Sequence, residues 1–317
     1  MRTGGGDQLR KAKGGKNDEF YTQRKDIDAE LGFYQEKFRG KTVYCNCDDP
    51  KISNFVSFFR DNFHKLGLKE LIATGYANDG KCNGTFAILD SNGESQNGEL
   101  VGDGDFRSGE CLELLKRADI VVTNPPFSLF RDFVSLMFAY QKDFLVIANV
   151  NAITYKEVFP RIQRNEMWLG VHLGRGVSGF IVPAHYDLYG TEARIDEAGN
   201  RIVSTNNALW LTTLDHENRH EPLPLAKTYF GSEAFYPKYD NLDGINVNKT
   251  KDIPSDYFGL MGVPITFLHK YNPEQFRIVR FRKGDDGRDL SINGRCPYFR
   301  IIIQRAEVEY VPQNTLW

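Results

Sequence analysis

Between residues 41 and 149, short apolar runs rich in β-branched residues alternate with amphipathic segments. The runs have the length of buried strands, and the segments between them have the three-and-four spacing of helices. This alternation is typical of β-α units around a mostly parallel sheet, so we predict an α/β fold. The predicted strands are residues 42–47, 71–74, 119–123 and 143–148, and helices are predicted to fill the gaps between them.

Two of the predicted helices, at residues 52–66 and 127–140, carry a clear apolar stripe. Because the apolar residues recur every three or four positions, we expect both stripes to pack on the sheet. Their phenylalanines are therefore interpreted as core residues rather than as ligand contacts. The stripes consist of Phe55, Phe58, Phe59, Phe63 and Leu66 in the first helix and Phe130, Phe133, Val134, Met137 and Phe138 in the second.

Beyond about residue 149 the pattern changes to short strands interrupted by turns, which indicates a β-rich region. Gly199 and Asn200, set between two apolar stretches, are typical of a hairpin tip. The chain has 317 residues, and a single core rarely grows beyond about 250–300 residues, so we expect two regions. We predict a flexible basic arm at 1–18, an α/β domain at 19–165 and the β-rich region at 166–317.

Composition is that of a globular protein, with 41% hydrophobic and 26% charged residues. No apolar run resembles a signal peptide or a membrane span, so we predict a cytoplasmic location without membrane association. The five scattered cysteines favour reduced thiols over a disulfide framework or a zinc site. His216 and His220 have helical spacing but no acidic or cysteine partner at ligand spacing, so no metal is assigned.

The net charge of −2 means that any contact with nucleic acid must rest on a local patch. One candidate is the basic arm, and the other is the stretch 275–305, with eight basic residues against three acidic ones. A charge cluster is often only a solvated face. We nevertheless predict phosphate contacts there, from Arg277, Arg280, Arg282, Lys283 and Arg288.

The strongest chemical signal is Asn124-Pro125-Pro126-Phe127, which follows directly on the predicted strand 119–123. Ligands of open parallel sheets bind at such strand ends. Two consecutive prolines fix the backbone and supply no N–H, so the turn is stiff and its carbonyl groups stay available. The Asn124 side-chain oxygen and the Pro125 carbonyl oxygen can then accept both hydrogens of an exocyclic amine, while Phe127 stacks on its ring.

This arrangement suits methyl transfer to a planar amine. The lone pair of adenine N6 is delocalised into the ring, and two acceptors localise it for attack on a sulfonium methyl group. Acceptors aimed at the positive charge that develops on nitrogen act where catalysis requires it, in the transition state. The alternative is that Asn124 to Phe127 only terminates a strand. The apolar strand before it, the helix after it and the acids of an upstream strand end favour the catalytic interpretation.

Further residues are candidates for holding the methyl donor. Asp48 and Asp49 end the first predicted strand, where a carboxylate could meet an ammonium group or ribose hydroxyls. A helix N-cap at Asp49 or Ser53 is an equally good interpretation, and the choice between the two acids stays open. Asp105 could accept from an adenine amine and Phe106 could stack on the ring, unless residues 103–105 form only a tight turn.

Together these motifs resemble the EcoRI-type adenine-specific DNA methyltransferases, and the resemblance covers about residues 20–278. It is carried by the segments 20–22, 44–50, 104–108, 123–128 and 262–273, which occur in the same order. The resemblance implies a Rossmann-like methyltransferase fold with a β-rich carboxyl-terminal target-recognition region, S-adenosylmethionine as the cofactor, and base flipping in double-stranded DNA. The predicted cofactor contacts are Phe20, Tyr21, Thr22, Cys47, Asp48, Asp49, Asp105, Phe106 and Asn124.

The chain departs from the wider methyltransferase pattern because its first β-α turn lacks the usual glycines. We expect a monomer, since one asymmetric chain can read duplex DNA. Two other functions stay open at this point. The same acceptors would serve an RNA base or a protein glutamine amide, although glutamine enzymes usually carry Tyr where Phe127 stands. A non-catalytic DNA-binding relative is the second, and the intact motif argues against it.

Overall fold

The computed structural model describes residues 21–77, 82–172, 177–182, 193–197, 199–204, 207–282, 290–296 and 299–306. Phe20, the basic arm, Lys283 and Arg288 lie outside these ranges, so what is predicted for them stays a prediction. Within the described ranges, no helix has both the length and the apolar character needed to cross a membrane.

Helices and strands are numbered here in chain order. The strands are β1 (Tyr21–Thr22), β2 (Thr42–Cys45), β3 (Glu70–Gly75), β4 (Thr85–Asp90), β5 (Ser95–Glu99), β6 (Ile120–Thr123), β7 (Asp143–Asn149), β8 (Trp168–Leu169), β9 (Phe180–Ile181), β10 (Ala193–Ile195), β11 (Arg201–Val203), β12 (Ala208–Thr212), β13 (Gly244–Asn246), β14 (Leu260–Val263), β15 (Phe276–Arg282) and β16 (Arg300–Arg305). The α-helices are α1 (Arg24–Leu31), α2 (Asn54–Asp61), α3 (Phe63–Leu66), α4 (Gly109–Arg117), α5 (Phe130–Ala139) and α6 (Phe159–Gln163). Short 3-10 helices are Gly32–Phe38, Phe127–Leu129, Val150–Thr154, Glu217–His220, Glu233–Phe235, Thr250–Asp252 and Ile265–Lys270.

The largest sheet among the described residues has the strand order β5-β4-β3-β2-β6-β7-β12-β8. Its centre, β3-β2-β6-β7, is parallel, and the strands outside it pair antiparallel. The four predicted strands are confirmed as β2, β3, β6 and β7. The first is shorter than predicted because the chain turns after Cys45, so that the Asp48 N–H donates to the Thr74 carbonyl oxygen at 2.9 Å.

Part of the gap between β3 and β6 is strand, so the prediction that helices fill it was wrong there. β4 and β5 form an antiparallel hairpin, and α4 occupies only the later part of the gap. In the hairpin turn, Asp90 Oδ1 accepts from the N–H groups of Asn92 and Glu94, each at 2.9 Å, and Gly93 has φ 81°. Every residue of β5 is exposed, so no apolar periodicity marks it in the sequence.

The predicted apolar stripes are buried in the core, but one of the two helices predicted to carry them is divided. All five residues of the first stripe are buried, and so are Phe130, Phe133, Val134 and Met137 of the second. The single helix predicted at 52–66 is instead two helices, divided at Asn62, whose side-chain amide donates to the Phe58 carbonyl oxygen at 2.9 Å. Ser53 caps α2 by accepting from the N–H groups of Phe55 and Val56.

A smaller sheet has the order β1-β9-β11-β10 among the described residues. Its β10–β11 hairpin confirms the tip predicted around Gly199 and Asn200, since Gly199 has φ 82° and Asp196 Oδ1 accepts from the Asn200 N–H at 2.8 Å. Helix α1 holds the chain that leads into this sheet. Its Glu30 is fully buried and accepts from the N–H groups of Val171 at 2.7 Å and His172 at 2.8 Å.

The chain divides into two compact units. The first comprises Met1–Ile162 and Glu166–His216, and the second comprises Gln163–Asn165 and Glu217–Trp317. Strands β8 and β12 come after residue 165, where the boundary was predicted, but they belong to the large sheet. The first unit therefore continues beyond that boundary. In its described part, the second unit contains the sheet β13-β14-β16-β15 together with short 3-10 helices.

Candidate active site

The site begins where two neighbouring parallel strands end. β2 and β6 are paired in parallel register, with Tyr44 opposite Val121. Because parallel strands end at the same edge of a sheet, the turn after β2 and the loop after β6 are brought together there. This edge therefore joins the acids at 48 and 49 to the motif at 124–127, although about 75 residues separate Asp48 from Thr123.

Asp48 is buried, and its carboxylate is surrounded by donors of the protein itself. It accepts from Ser53 Oγ at 2.7 Å, from Thr123 Oγ1, and from the backbone N–H of Asn124. Burial raises the pKa of Asp48 to about 6, and these three hydrogen bonds oppose that rise. Asp48 thus links the cap of α2 to the beginning of the predicted catalytic loop.

The predicted catalytic loop fills the short connection between β6 and α5. Pro125 is buried, while Asn124, Pro126 and Phe127 are partly accessible. Phe127 begins a 3-10 helix, in which the Leu129 N–H donates to the Pro126 carbonyl oxygen at 3.0 Å. The two prolines therefore form a fixed step between strand and helix, as the sequence predicts.

Phe180 is a site residue that the sequence did not reveal. It is buried in β9, and its ring centroid lies 6.2 Å from that of Phe127 at an interplanar angle of 67°. Two residues before it, Ser178 donates from both its N–H and its hydroxyl to Asp26, at 2.8 and 3.0 Å. Gln23 donates to the Ser178 hydroxyl, at 2.8 Å. Phe180 thus forms a wall beside Phe127. Because the hydrogen bonds that hold the neighbouring Ser178 join residues about 150 positions apart, no local signal in the sequence could have identified this wall.

Tyr21 and Thr22, two of the predicted cofactor contacts, lie beside the start of α2, which follows the first β-α turn. They form β1, and the Thr22 carbonyl oxygen accepts from Asn54 Nδ2 at the start of α2, at 2.8 Å. Thr22 Oγ1 is buried and has no hydrogen-bond partner in the described ranges. It is therefore available to a polar group of a ligand.

The turn after β2 offers three further polar or soft groups. Asp49 Oδ1 accepts from the Lys51 N–H at 2.8 Å, and the second carboxylate oxygen has no partner among the residues described. Asn46 Nδ2 is buried without a hydrogen-bond partner in the same set. The half-buried Cys47 thiol contacts Asn46 Oδ1 at 3.7 Å, and burial raises its pKa well above the ordinary value. A Cβ atom on Gly75 would lie 2.8 Å from the Asp49 Cα, so β3 closely borders this turn.

The segment at 104–108 lies against the end of β3. The Ala77 N–H donates to the Asp103 carbonyl oxygen at 2.8 Å, and Gly104, with φ 85°, leaves no room for a Cβ because one would lie 2.4 Å from the Gly75 carbonyl oxygen. Asp105 is paired with Arg107 at 2.7 Å, which holds the pKa of Asp105 below its usual value.

In the segment 104–108, Phe106 lies in the core and Asp105 lies in a tight turn. Phe106 is buried, with its ring 5.6 Å from that of Phe133, so part of it is core. Among the described residues, Arg107 is the only cation that forms an ion pair with Asp105. Arg107 also forms a second ion pair, with Asp132 at 3.3 Å. The tight turn considered for residues 103–105 is present, because the Asp105 N–H donates to Asp103 Oδ1 at 3.0 Å.

The two histidines have separate partners. His216 is buried, with Nε2 3.0 Å from the Leu169 carbonyl oxygen, and His220 Nδ1 lies 2.8 Å from Glu274 Oε1. Across the part of the chain that the structure describes, no three His, Cys, Asp or Glu side chains group as metal ligands do.

In the second unit, three of the predicted DNA-contacting residues lie on β15. Opposite β16, Arg277 pairs with Gln304, Arg280 with Ile302, and Arg282 with Arg300, with an irregularity in register between residues 278 and 280. Because side chains of a strand alternate in direction, residues 277 and 280 would normally face opposite ways, and the bulge brings them to one face. Arg277 and Arg280 are exposed and Arg282 is partly exposed.

Comparison with known proteins agrees with the resemblance seen in the motifs. The family described as "Adenine-specific methyltransferase EcoRI" matches residues 8–306. The Type II methyltransferase M.EcoRI of Escherichia coli is 60% identical over 95% of this chain and 97% of its own length. Type II methyltransferases M.MgeORF184P of Mycoplasma genitalium and M.MpnI of Mycoplasma pneumoniae are 38% and 36% identical, each over 94% of this chain and 98% of its own length. No solved structure gives a significant match.

The fold and the site define an enzyme with a stiff Asn-Pro-Pro-Phe loop at the carboxyl edge of a parallel sheet, and the comparisons cover nearly the whole chain. The chain belongs to the EcoRI family of adenine-specific DNA methyltransferases.

Proposed function

We propose that this enzyme transfers a methyl group from S-adenosylmethionine to N6 of an adenine that has been rotated out of double-stranded DNA. The observation that carries the proposal is the meeting of the Asn124 loop with the first β-α turn at one edge of the sheet. A donor held at that turn and an amine held at the loop would be neighbours. The parallel centre of the sheet, β3-β2-β6-β7, supports a Rossmann-like methyltransferase fold.

On the amine side, Asn124 and Pro125 would each accept one hydrogen of the adenine N6 amine through an oxygen atom. Phe127 would stack on the flipped base, and Phe180 supports the ring of Phe127 from the side. The loop is stiff before the substrate arrives, so little reorganisation is needed when positive charge develops on N6. Its oxygens would then stabilise the transition state more than the ground state.

On the donor side, the groups available in the turn fit the polar ends of S-adenosylmethionine, which supplies a sulfonium-bound methyl group when it is bound. The available oxygen of Asp49 suits an ammonium or ribose hydroxyl group, and the buried Asn46 amide suits a carboxylate. Thr22 Oγ1 is a third polar contact. We therefore favour Asp49 over Asp48 as the cofactor-binding acid, because the Asp48 carboxylate already holds three protein donors.

On the DNA side, the face of β15 that carries Arg277, Arg280 and Arg282 is suited to phosphate contacts. Rotating a base out of the duplex costs a few kcal/mol of stacking and pairing, and contacts with the backbone can offset that cost. Three guanidinium groups on one face match the repeating phosphates better than scattered charges would.

Replacing the acceptor of the catalytic loop should stop methyl transfer. We expect Asn124→Ala to lower kcat by roughly 10²–10³-fold, the effect of losing one preorganised polar contact. Affinity for S-adenosylmethionine, measured by calorimetry, should change little because Asn124 faces mainly the amine. Asn62→Ala is the matched control, since that amide bonds only within its own helical segment. Near-normal turnover of the Asn124 variant would rule out the proposed role.

The cofactor pocket can be tested with two acids that share Arg107. Asp105→Ala should weaken S-adenosylmethionine binding by about 1.5–3 kcal/mol, as expected for the loss of a hydrogen bond to a charged acceptor. Asp132→Ala removes the other ion pair of Arg107 from α5 and should leave cofactor affinity unchanged. Equal weakening in both variants would mean that Asp105 acts only through Arg107.

If the arginines of β15 contact DNA phosphates, the affinity for DNA should depend on salt concentration in a way that each substitution changes. Arg277→Gln and Arg280→Gln should each lower affinity for cognate and non-cognate duplexes alike, and each should reduce the slope of log affinity against log salt by about 0.9. Arg39→Gln, which changes an exposed arginine of the first unit, outside the stretch 275–305, is the control. Loss confined to the cognate duplex would instead mark a base-reading arginine, and an unchanged slope would leave this face without a role in DNA binding.

A further inference from the structure

We infer that Asp48 is a positioning residue, whose carboxylate holds the catalytic loop in the geometry that Asn124 needs. This inference rests on the proposed role of Asn124. It assigns to Asp48 a task different from cofactor binding, because the carboxylate faces the loop and the cap of α2. The loop would thus be held by hydrogen bonds to a side chain in the turn after β2, the strand that neighbours β6.

The hydrogen bonds of Asp48 reach two successive residues, the last of β6 and the first of the loop. Thr123 donates through its hydroxyl and Asn124 through its backbone N–H. On its other side, Asn124 is followed by Pro125, which restricts the backbone of the residue before it. The peptide of Asn124 is therefore held from both directions, and the direction in which its side chain leaves the backbone is defined before any substrate binds.

A carboxylate is the side chain best suited to this task. It accepts hydrogen bonds at two oxygens, so it can satisfy Ser53, Thr123 and Asn124 together. An amide at position 48 has one accepting oxygen and would place donor hydrogens against one of these partners. A single neutral replacement therefore keeps the shape of the side chain while it breaks the pattern of hydrogen bonds.

The buried charge has a cost for the folded protein. The folded-state pKa of about 6 lies above the ordinary 3.8, so the folded state binds a proton more tightly than the unfolded chain does. The stability contributed by Asp48 consequently falls as pH rises from about 4 to about 6 and stays low above that. A neutral side chain removes this cost, so loss of function at position 48 need not come from loss of stability.

Among the described residues, the ionisable groups beside Asp48 on its own segment are Cys45, Cys47 and Asp49. Cys45 and Cys47 precede it on the same chain segment, and the pKa of each thiol is raised well above its ordinary value, so both are neutral near pH 7. The hydrogen-bond partners of Asp48 are Ser53 at the cap of α2, Thr123 at the end of β6 and the Asn124 N–H, and none of them titrates in this range. A change in activity near pH 6 is therefore assigned to Asp48 itself.

The test is the Asp48→Asn variant of the full-length enzyme, assayed for kcat with duplex DNA and S-adenosylmethionine from about half a pH unit below to about two and a half pH units above the Asp48 pKa of about 6. We expect kcat to fall about tenfold to a hundredfold at pH 8, the equivalent of one hydrogen bond to a charged group. Calorimetric affinity for S-adenosylmethionine should stay the same, and a cooperative melting transition at pH 8 should show that the variant is folded. Wild-type kcat should decline as pH falls through about 6, and the variant should lack that decline.

Asp119→Asn is the matched control. Asp119 also joins β2 and β6, by accepting from the Thr42 N–H at 2.8 Å, but it does so at the opposite end of the strands. Its kcat and pH profile should equal those of the wild type. Thr123→Val provides a second variant, since it removes a loop bond to the same carboxylate, and it should also lower kcat without changing cofactor affinity.

Two outcomes would overturn the inference. One is an Asp48→Asn enzyme with wild-type kcat and the same decline below pH 6. The other is a variant whose affinity for S-adenosylmethionine falls while kcat at saturation is retained, which would make Asp48 a cofactor ligand. Failure of the proposed function is distinguishable from both, because it would appear as an active Asn124→Ala enzyme whatever position 48 does.

Discussion

The proposed catalytic site depends on the parallel pairing of β2 with β6 and on the carboxylate buried where they end. The pairing brings the turn after one strand beside the loop after the other, and Asp48 joins them through Thr123 and Asn124. Two prolines stiffen the same loop from the opposite side. The proposed reacting groups would therefore be held by a turn and a loop that are hydrogen-bonded to each other at one edge of the sheet.

This rigidity is obtained at some cost in stability. A carboxylate buried among neutral donors retains a raised pKa, which shows that burial outweighs its hydrogen bonds. The surrounding core opposes that cost, since the aromatic stripes of α2 and α5 are buried. Helix α1 stabilises another part of the proposed site, because its Asp26 accepts two hydrogen bonds from Ser178, two residues before Phe180.

The sequence predicted the parts of this protein that local pattern determines. Strands β2, β3, β6 and β7 and the loop at 124–127 follow from apolar runs and from the chemistry of consecutive prolines. The β4–β5 hairpin was missed because β5 is exposed throughout. The return of β12 to the large sheet and the contacts of Asp48 with Thr123 and Asn124 could not be predicted, because both depend on contacts across tens of residues.

Chemical analysis of the methylated product tests the central claim most directly. The enzyme would be incubated with S-adenosylmethionine carrying a tritiated methyl group and, in separate reactions, with duplex DNA, RNA and protein. After digestion to nucleosides, we predict label in N6-methyldeoxyadenosine from duplex DNA and background label in RNA and protein. Label in a cytosine derivative, in RNA or in a glutamine side chain would contradict the role given to Asn124, Pro125 and Phe127.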